Sequence, residues 1–177
     1  GGASKNDKKF RKTEIDRYIS LGRTSIIRNQ KKSAEGLERI SKIGEEACAS
    51  IVEAGGMQVV TTQLANSNSS NVRLKSAIIF SNVSKHEMLR KQLYDDRVCL
   101  CLVELLSKGK PAAMKPHCIE AIANMGTLLE ARPDLVGATS EIIKYIFAGD
   151  LTQQLSGLNA LRRIAAHPRC HHKIFKA

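Results

Sequence analysis

Three observations predict an all-α chain built from stacked repeats. The segments SIVEAGGMQVV, KQLYDDRVCLCL, DLVGATSEIIKYI and HKIFKA place Val52, Leu93, Val136 and Phe175 in register, at steps of 41, 43 and 39 residues. Within each step apolar residues recur three and four apart, which is the helical period. Aromatic residues make up 4% of the chain and Trp is absent, against 42% hydrophobic residues overall. A core of Ile, Leu, Val and Ala without large rings suits packed helices better than a β-sandwich.

The elements can be taken in order. Residues 1–32 hold ten Lys or Arg against three acids; the rest of the chain holds eighteen against fourteen, so +7 of the net +11 sits in this arm. The leading GGAS reads as a cloning scar. A helix over 8–20 would pack Phe10, Ile15, Tyr18 and Ile19 as a cap on the first partial repeat, so 1–23 reads as a basic arm or capping helix. Binding of RNA, DNA or an acidic membrane surface is the rival use of the arm, and disorder a third reading. The repeat domain, 24–177, opens with a partial unit, 24–44, where GLERISKI matches the tail of LNALRRIAA. Full units follow over 45–85, 86–130 and 131–167, and a truncated unit over 168–177.

Each full unit reads as three helices. The short first helices end at Val52, Leu93 and Val136. The second helices cover 57–65, 97–107 and 140–148, and the long third helices 71–84, 112–129 and 151–166. Asp150 with Gln153 predicts a capping box for the last of these. Gly55 and Gly56 interrupt an apolar run at a cost of roughly 1 kcal/mol each. They are expected to form a corner between two short helices, where glycine permits positive φ. Asp95 and Asp96 occupy that corner in the next unit and are expected to cap the following helix. A phosphate cradle does not fit, because no strand precedes the glycines and no Lys-Ser/Thr follows. The last short helix, with Ile174 and Phe175, leaves an apolar end expected to fray or to mediate self-association.

Five cysteines, odd in number and mostly within apolar stretches, predict reduced core thiols and a cytoplasmic or nuclear location. Cys99 and Cys101 form C-x-C on a helix and point apart. His167, Cys170, His171 and His172 have metal-capable side chains, but they straddle a junction at Pro168 and are read as a polar corner. No metal and no cofactor is expected. No apolar run approaches the ~20 residues of a membrane span. Ser-His-Asp logic, paired carboxylates and a phosphate loop are all missing, so the sequence predicts a non-enzyme.

These residues resemble the armadillo repeat family. The resemblance rests on IVEAGGMQVVTTQL followed by NVRLKSAIIFSNVS, and on LVELLSKG followed by HCIEAIANMG. It implies a right-handed superhelix of about three and a half three-helix repeats, whose third helices line a concave groove. In the family that groove binds an extended partner segment, and a third-helix Asn bonds to the ligand backbone. By position that Asn is Asn82, then Asn124, with Arg163 in the third unit. The importin-α subgroup places Trp four residues earlier, where this chain has Ile78, Glu120 and Asn159, so recognition of a nuclear localisation signal is not expected.

Helical spacing independently puts Ile78, Asn82 and His86 on one stripe, Glu120, Asn124 and Leu128 on the next, and Asn159, Arg163 and His167 on the last. The expected groove is Lys75, Ile78, Asn82, Glu120, Asn124, Asn159, Arg163 and His167, with Lys75, Arg162 and His167 favouring acidic side chains. A solvated surface amide is the bland reading of each Asn. The sequence thus predicts a scaffold or adaptor module that binds a protein or peptide segment, with a nucleic-acid-binding repeat protein as the rival.

Overall fold

The computed structural model describes the backbone of residues 5–166, 168, 171 and 175, and side chains from residue 12 onward. Every regular element among them is helical. The order is α1 (Lys5–Gly22), α2 (Ile27–Ser41), α3 (Glu45–Glu53) and α4 (Gly56–Val59), which runs on through a π turn at Val60–Leu64. Then come α5 (Ser70–Ser84), α6 (Arg90–Asp95), α7 (Val98–Lys108), α8 (Met114–Met125), α9 (Arg132–Leu135), α10 (Thr139–Ala148) and α11 (Leu151–Ala165). No described helix is long and apolar enough to cross a membrane.

The long helices α2, α5, α8 and α11 stack side by side, each against the next, and α1 lies along α2 as α10 lies along α11. One continuous core runs beneath them. It takes Ile15 and Ile19 from α1, Leu37 and Ile40 from α2, Phe80 from α5, Leu102 and Leu106 from α7, Ile119 and Ile122 from α8, and Ile164 from α11, all buried. No unit could bury its own apolar face alone; stacking does so.

Corners and helix ends show how the sequence sets the repeat. Gly55 adopts φ 75°, as its place between α3 and α4 requires. At Gly56 a Cβ would stand 2.7 Å from a methyl of Ile51 and 2.8 Å from its carbonyl oxygen, so the second glycine serves close packing. In the next unit the expectation is corrected. The left-handed residue is Arg97, φ 60°, one place after the acids, and no side chain caps α7. The third unit turns the corner through a 3₁₀ turn at Val136–Ala138 without a left-handed residue. Helix α8 is also shorter than the apolar period suggests: it stops at Met125. Past Gly126, the Thr127 hydroxyl donates to the Asn124 carbonyl at 2.8 Å and the chain becomes extended at Leu128. The capping box at α11 is present, with Gln153 N–H 2.9 Å from Asp150 Oδ1 and Asp150 N–H 3.0 Å from Gln153 Oε1.

Candidate functional site

The stripes expected to line a groove run along α5, α8 and α11, and a repeated hydrogen bond ties successive long helices in register. Asn82 on α5 donates through Nδ2 to Ser41 Oγ on α2 at 3.0 Å, and Asn124 on α8 donates to Ser84 Oγ on α5 at 3.2 Å. Each serine passes its own proton back into its helix, Ser41 to the Glu38 carbonyl at 2.8 Å and Ser84 to the Ser81 carbonyl at 3.1 Å. Both asparagines are half-buried, not exposed as free surface amides would be. Each spends one amide N–H on the neighbouring helix. The second N–H and Oδ1 have no further partner among the described residues, so the amide is oriented yet keeps a donor and an acceptor.

The rung stops after α8. Gly126 takes the serine position and Arg163 the asparagine position, where the Arg163 Cβ lies 3.1 Å from the point a Gly126 Cβ would occupy. Asn159 is exposed, and its Oδ1 accepts from Arg162 at 3.3 Å and from Arg163 at 3.4 Å. His167 lies outside the described residues, as do Cys170 and His172.

Charge is distributed unevenly along these stripes. Glu38, buried on α2, holds Lys42 Nζ at 2.5 Å and Lys75 Nζ at 2.6 Å. Burial by itself would raise the Glu38 carboxyl, but the two ammonium groups outweigh it and hold it below the usual carboxylate value of 4.5. Lys75 is therefore engaged within the protein and does not stand free for an acidic partner. Glu120 accepts from Ser81 Oγ at 2.5 Å and lies 3.3 Å from Lys85 Nζ, both on α5, where Ile78 is half-buried. Burial lowers the neighbouring His117 below its ordinary 6.5, so the imidazole favours the neutral form. On α11, Arg162 and Arg163 have no carboxylate partner among the described residues.

Sequence reasoning missed two features. The acceptor serines Ser41 and Ser84 stand 43 residues apart, a repeat-length signal that was available. The second feature caps the long helices. The carbonyl of Ser41 accepts from Cys48 Sγ at 3.3 Å, that of Ser84 from Arg90 Nε at 2.8 Å, and that of Gly126 from Arg132 Nε at 2.8 Å. Donors from the first helix of each following unit thus satisfy carbonyls at the negative end of the preceding long helix. The described thiols are buried as expected of core cysteines. Desolvation pushes Cys48 up to about 11 and Cys99, Cys101 and Cys118 to about 12, so they stay protonated.

No protein-family model and no curated protein matches the sequence. Solved structures do match. A computationally designed armadillo repeat protein for modular peptide recognition superposes with a TM-score of 0.79 at 18% identity, over 92% of this chain and 69% of that one. A designed armadillo repeat protein in complex with the peptide (KR)4 gives 0.77 at 18% identity, over 92% and 69%. Two engineered proteins from a structural genomics consortium give 0.76 and 0.79, each at 24% identity; this chain spans 67% of the first and 41% of the second. Stacked three-helix units, glycine-bearing corners and these superpositions agree: the chain has an armadillo-like repeat fold.

Proposed function

We propose that the chain is a non-enzymatic scaffold or adaptor module that binds an extended peptide segment along the face formed by α2, α5, α8 and α11. The carrying observation is the pair of half-buried asparagines, each oriented by a serine on the preceding helix and each keeping an unused amide donor and acceptor. An extended peptide has the same donor and acceptor at every residue. Stacked helices are roughly 10 Å apart and an extended chain advances about 3.3 Å per residue, so the two amides would meet its backbone about three residues apart. Designed relatives of this fold made for peptide recognition support the reading.

One of those relatives carries a basic peptide. The charges here favour the opposite, since Arg162 and Arg163 stand without carboxylates while Glu38 and Glu120 are already paired with lysines. An acidic side chain would therefore lie toward α11. Against the rival reading, the stripes of Ile78, Asn82, Glu120, Asn124 and Asn159 give no continuous row of cations of the kind a phosphate backbone needs. Four free, buried thiols among the described residues favour a reducing compartment, cytoplasmic or nuclear.

Peptides selected from a random display library against the chain provide the test. Asn82→Ala with Asn124→Ala should weaken a selected peptide about thirtyfold, two losses of about 1 kcal/mol each. A peptide bound with unchanged affinity by this double variant would refute the groove.

A further inference from the structure

The basic stretch from the end of α1 into the first turns of α2 supplies none of the residues named for that groove, and its chemistry points elsewhere. Between Asp16 and Glu35 the chain contains no acid but five cations: Arg17, Arg23, Arg28, Lys31 and Lys32. All five are exposed, and among the described residues none of them forms an ion pair. Arg17 and Lys32 line one shallow hollow between α1 and α2, with Arg39 also at its wall and Glu35 as its carboxylate. Amid these cations, at the corner joining the two helices, stand Ile26 and Ile27, exposed by 58% and 37%. Helical register puts Ile27 and Lys31 on one stripe of α2, and Arg28 and Lys32 on the adjacent one.

The corner is held in place. Thr24 Oγ1 donates to the Leu21 carbonyl at 2.9 Å, Gln30 Nε2 donates to the Thr24 carbonyl at 3.0 Å, and the Ile26 carbonyl accepts from the Asn29 and Gln30 amides at 2.9 and 3.0 Å. Two branched apolar side chains are thus presented to solvent on a fixed turn, with Arg23 and Arg28 flanking them in sequence and Lys31 one helical turn beyond Ile27. An isoleucine pair of this size would mark nothing by itself; its coincidence with five cations is what points to a partner. We infer that this corner docks on an anionic lipid bilayer, Ile26 and Ile27 entering the headgroup boundary while the five cations meet lipid phosphates and carboxylates. A nucleic acid would satisfy the cations but would leave the isoleucine pair without a role. A membrane uses both, because interfacial binding combines apolar burial with attraction to anionic lipid.

The chain has no Trp, so Ile26→Trp places one fluorophore at the corner. This variant should co-sediment with phosphatidylcholine vesicles containing about a third phosphatidylserine, with blue-shifted emission, and should ignore pure phosphatidylcholine. Arg28→Gln, Lys31→Gln and Lys32→Gln together should lower partitioning of the otherwise native chain about a hundredfold, near fivefold per cation. Ile26→Ser with Ile27→Ser should lower it about tenfold. Both sets lie on the exposed surface, so melting temperatures should hold. No sedimentation with the anionic vesicles, equal sedimentation with neutral ones, or unshifted emission would overturn the inference. Tighter binding to duplex DNA or RNA, unaffected by the serine pair, would also overturn it and make nucleic acid the partner.

Discussion

The steps α2 to α5 and α5 to α8 differ from the step α8 to α11, although one repeat register builds all three. In the first two, the residue at the asparagine position donates to a serine 41 or 40 residues earlier, and the lysines alongside are paired with Glu38 or Glu120. In the last, glycine replaces the serine and arginine the asparagine. The outer face of α11 also stays open there, with Leu151, Leu155 and Leu158 exposed by 70%, 60% and 52%, while Ile119, at the position equivalent to Leu158, is fully buried. A repeat position therefore has no fixed role. It interlocks two helices where the preceding helix offers an acceptor, and is released for other contacts where it does not.

The largest predicted effect breaks this comparison in the core. Phe80 is fully buried beneath α5, whereas Leu161, at the equivalent place on α11, is only partly so. Phe80→Ala should cost about 4 kcal/mol, with Leu161→Ala near half of that, both read by denaturant unfolding. Equal costs would mean that the last unit is packed as tightly as the middle ones.

Acid should act next, and through α2. Glu38 titrates below 4.5 in the folded chain and near it when unfolded, so between those values the unfolded chain binds more protons. The stabilisation is complete above pH 4.5 and is lost as pH falls through the folded value. Glu38→Gln should lower stability at neutral pH and flatten this part of the acid limb. An unchanged limb would mean that the Glu38 pairs with Lys42 and Lys75 contribute nothing.

The smallest effect belongs to a single rung. A double-mutant cycle of Ser84→Ala and Asn124→Ala should return a coupling of about 1 kcal/mol, the usual net value of a hydrogen bond. Ser84→Ala with Arg163→Ala, which share no bond, should be additive. Coupling in the second pair and none in the first would remove the rungs from the account.

Much of the fold was legible because it repeats. The 41- and 43-residue steps located the helices, Gly55 announced its corner, and Asp150 with Gln153 announced the cap of α11. Local chemistry carried those signals. What stayed hidden depended on neighbours in space. In Asp95-Asp96-Arg97 local preference would favour an aspartate for positive φ, yet Arg97 adopts it, a choice made by tertiary packing. Helix α8 keeps its apolar period beyond Met125, and only Gly126 and the Thr127 hydroxyl end it. The recurring asparagines were visible as a spacing, but their serine partners lie a whole unit away. Both amides are consequently half-buried, unlike the solvated surface amides of the bland reading. The pairing of Lys75 stayed hidden for the same reason: Glu38 is 37 residues distant and reaches it only through stacking.

The central claim is that each rung orients an amide whose remaining donor and acceptor serve a peptide. The side-chain NH₂ resonances of Asn82 and Asn124, followed by ¹⁵N NMR during titration with a display-selected peptide, test it most directly. Both pairs should shift with one common dissociation constant, one proton of each remaining slowly exchanging because the serine bond persists. Binding that leaves both pairs in place and shifts only the resonances of α4, α7 and α10 would contradict the account.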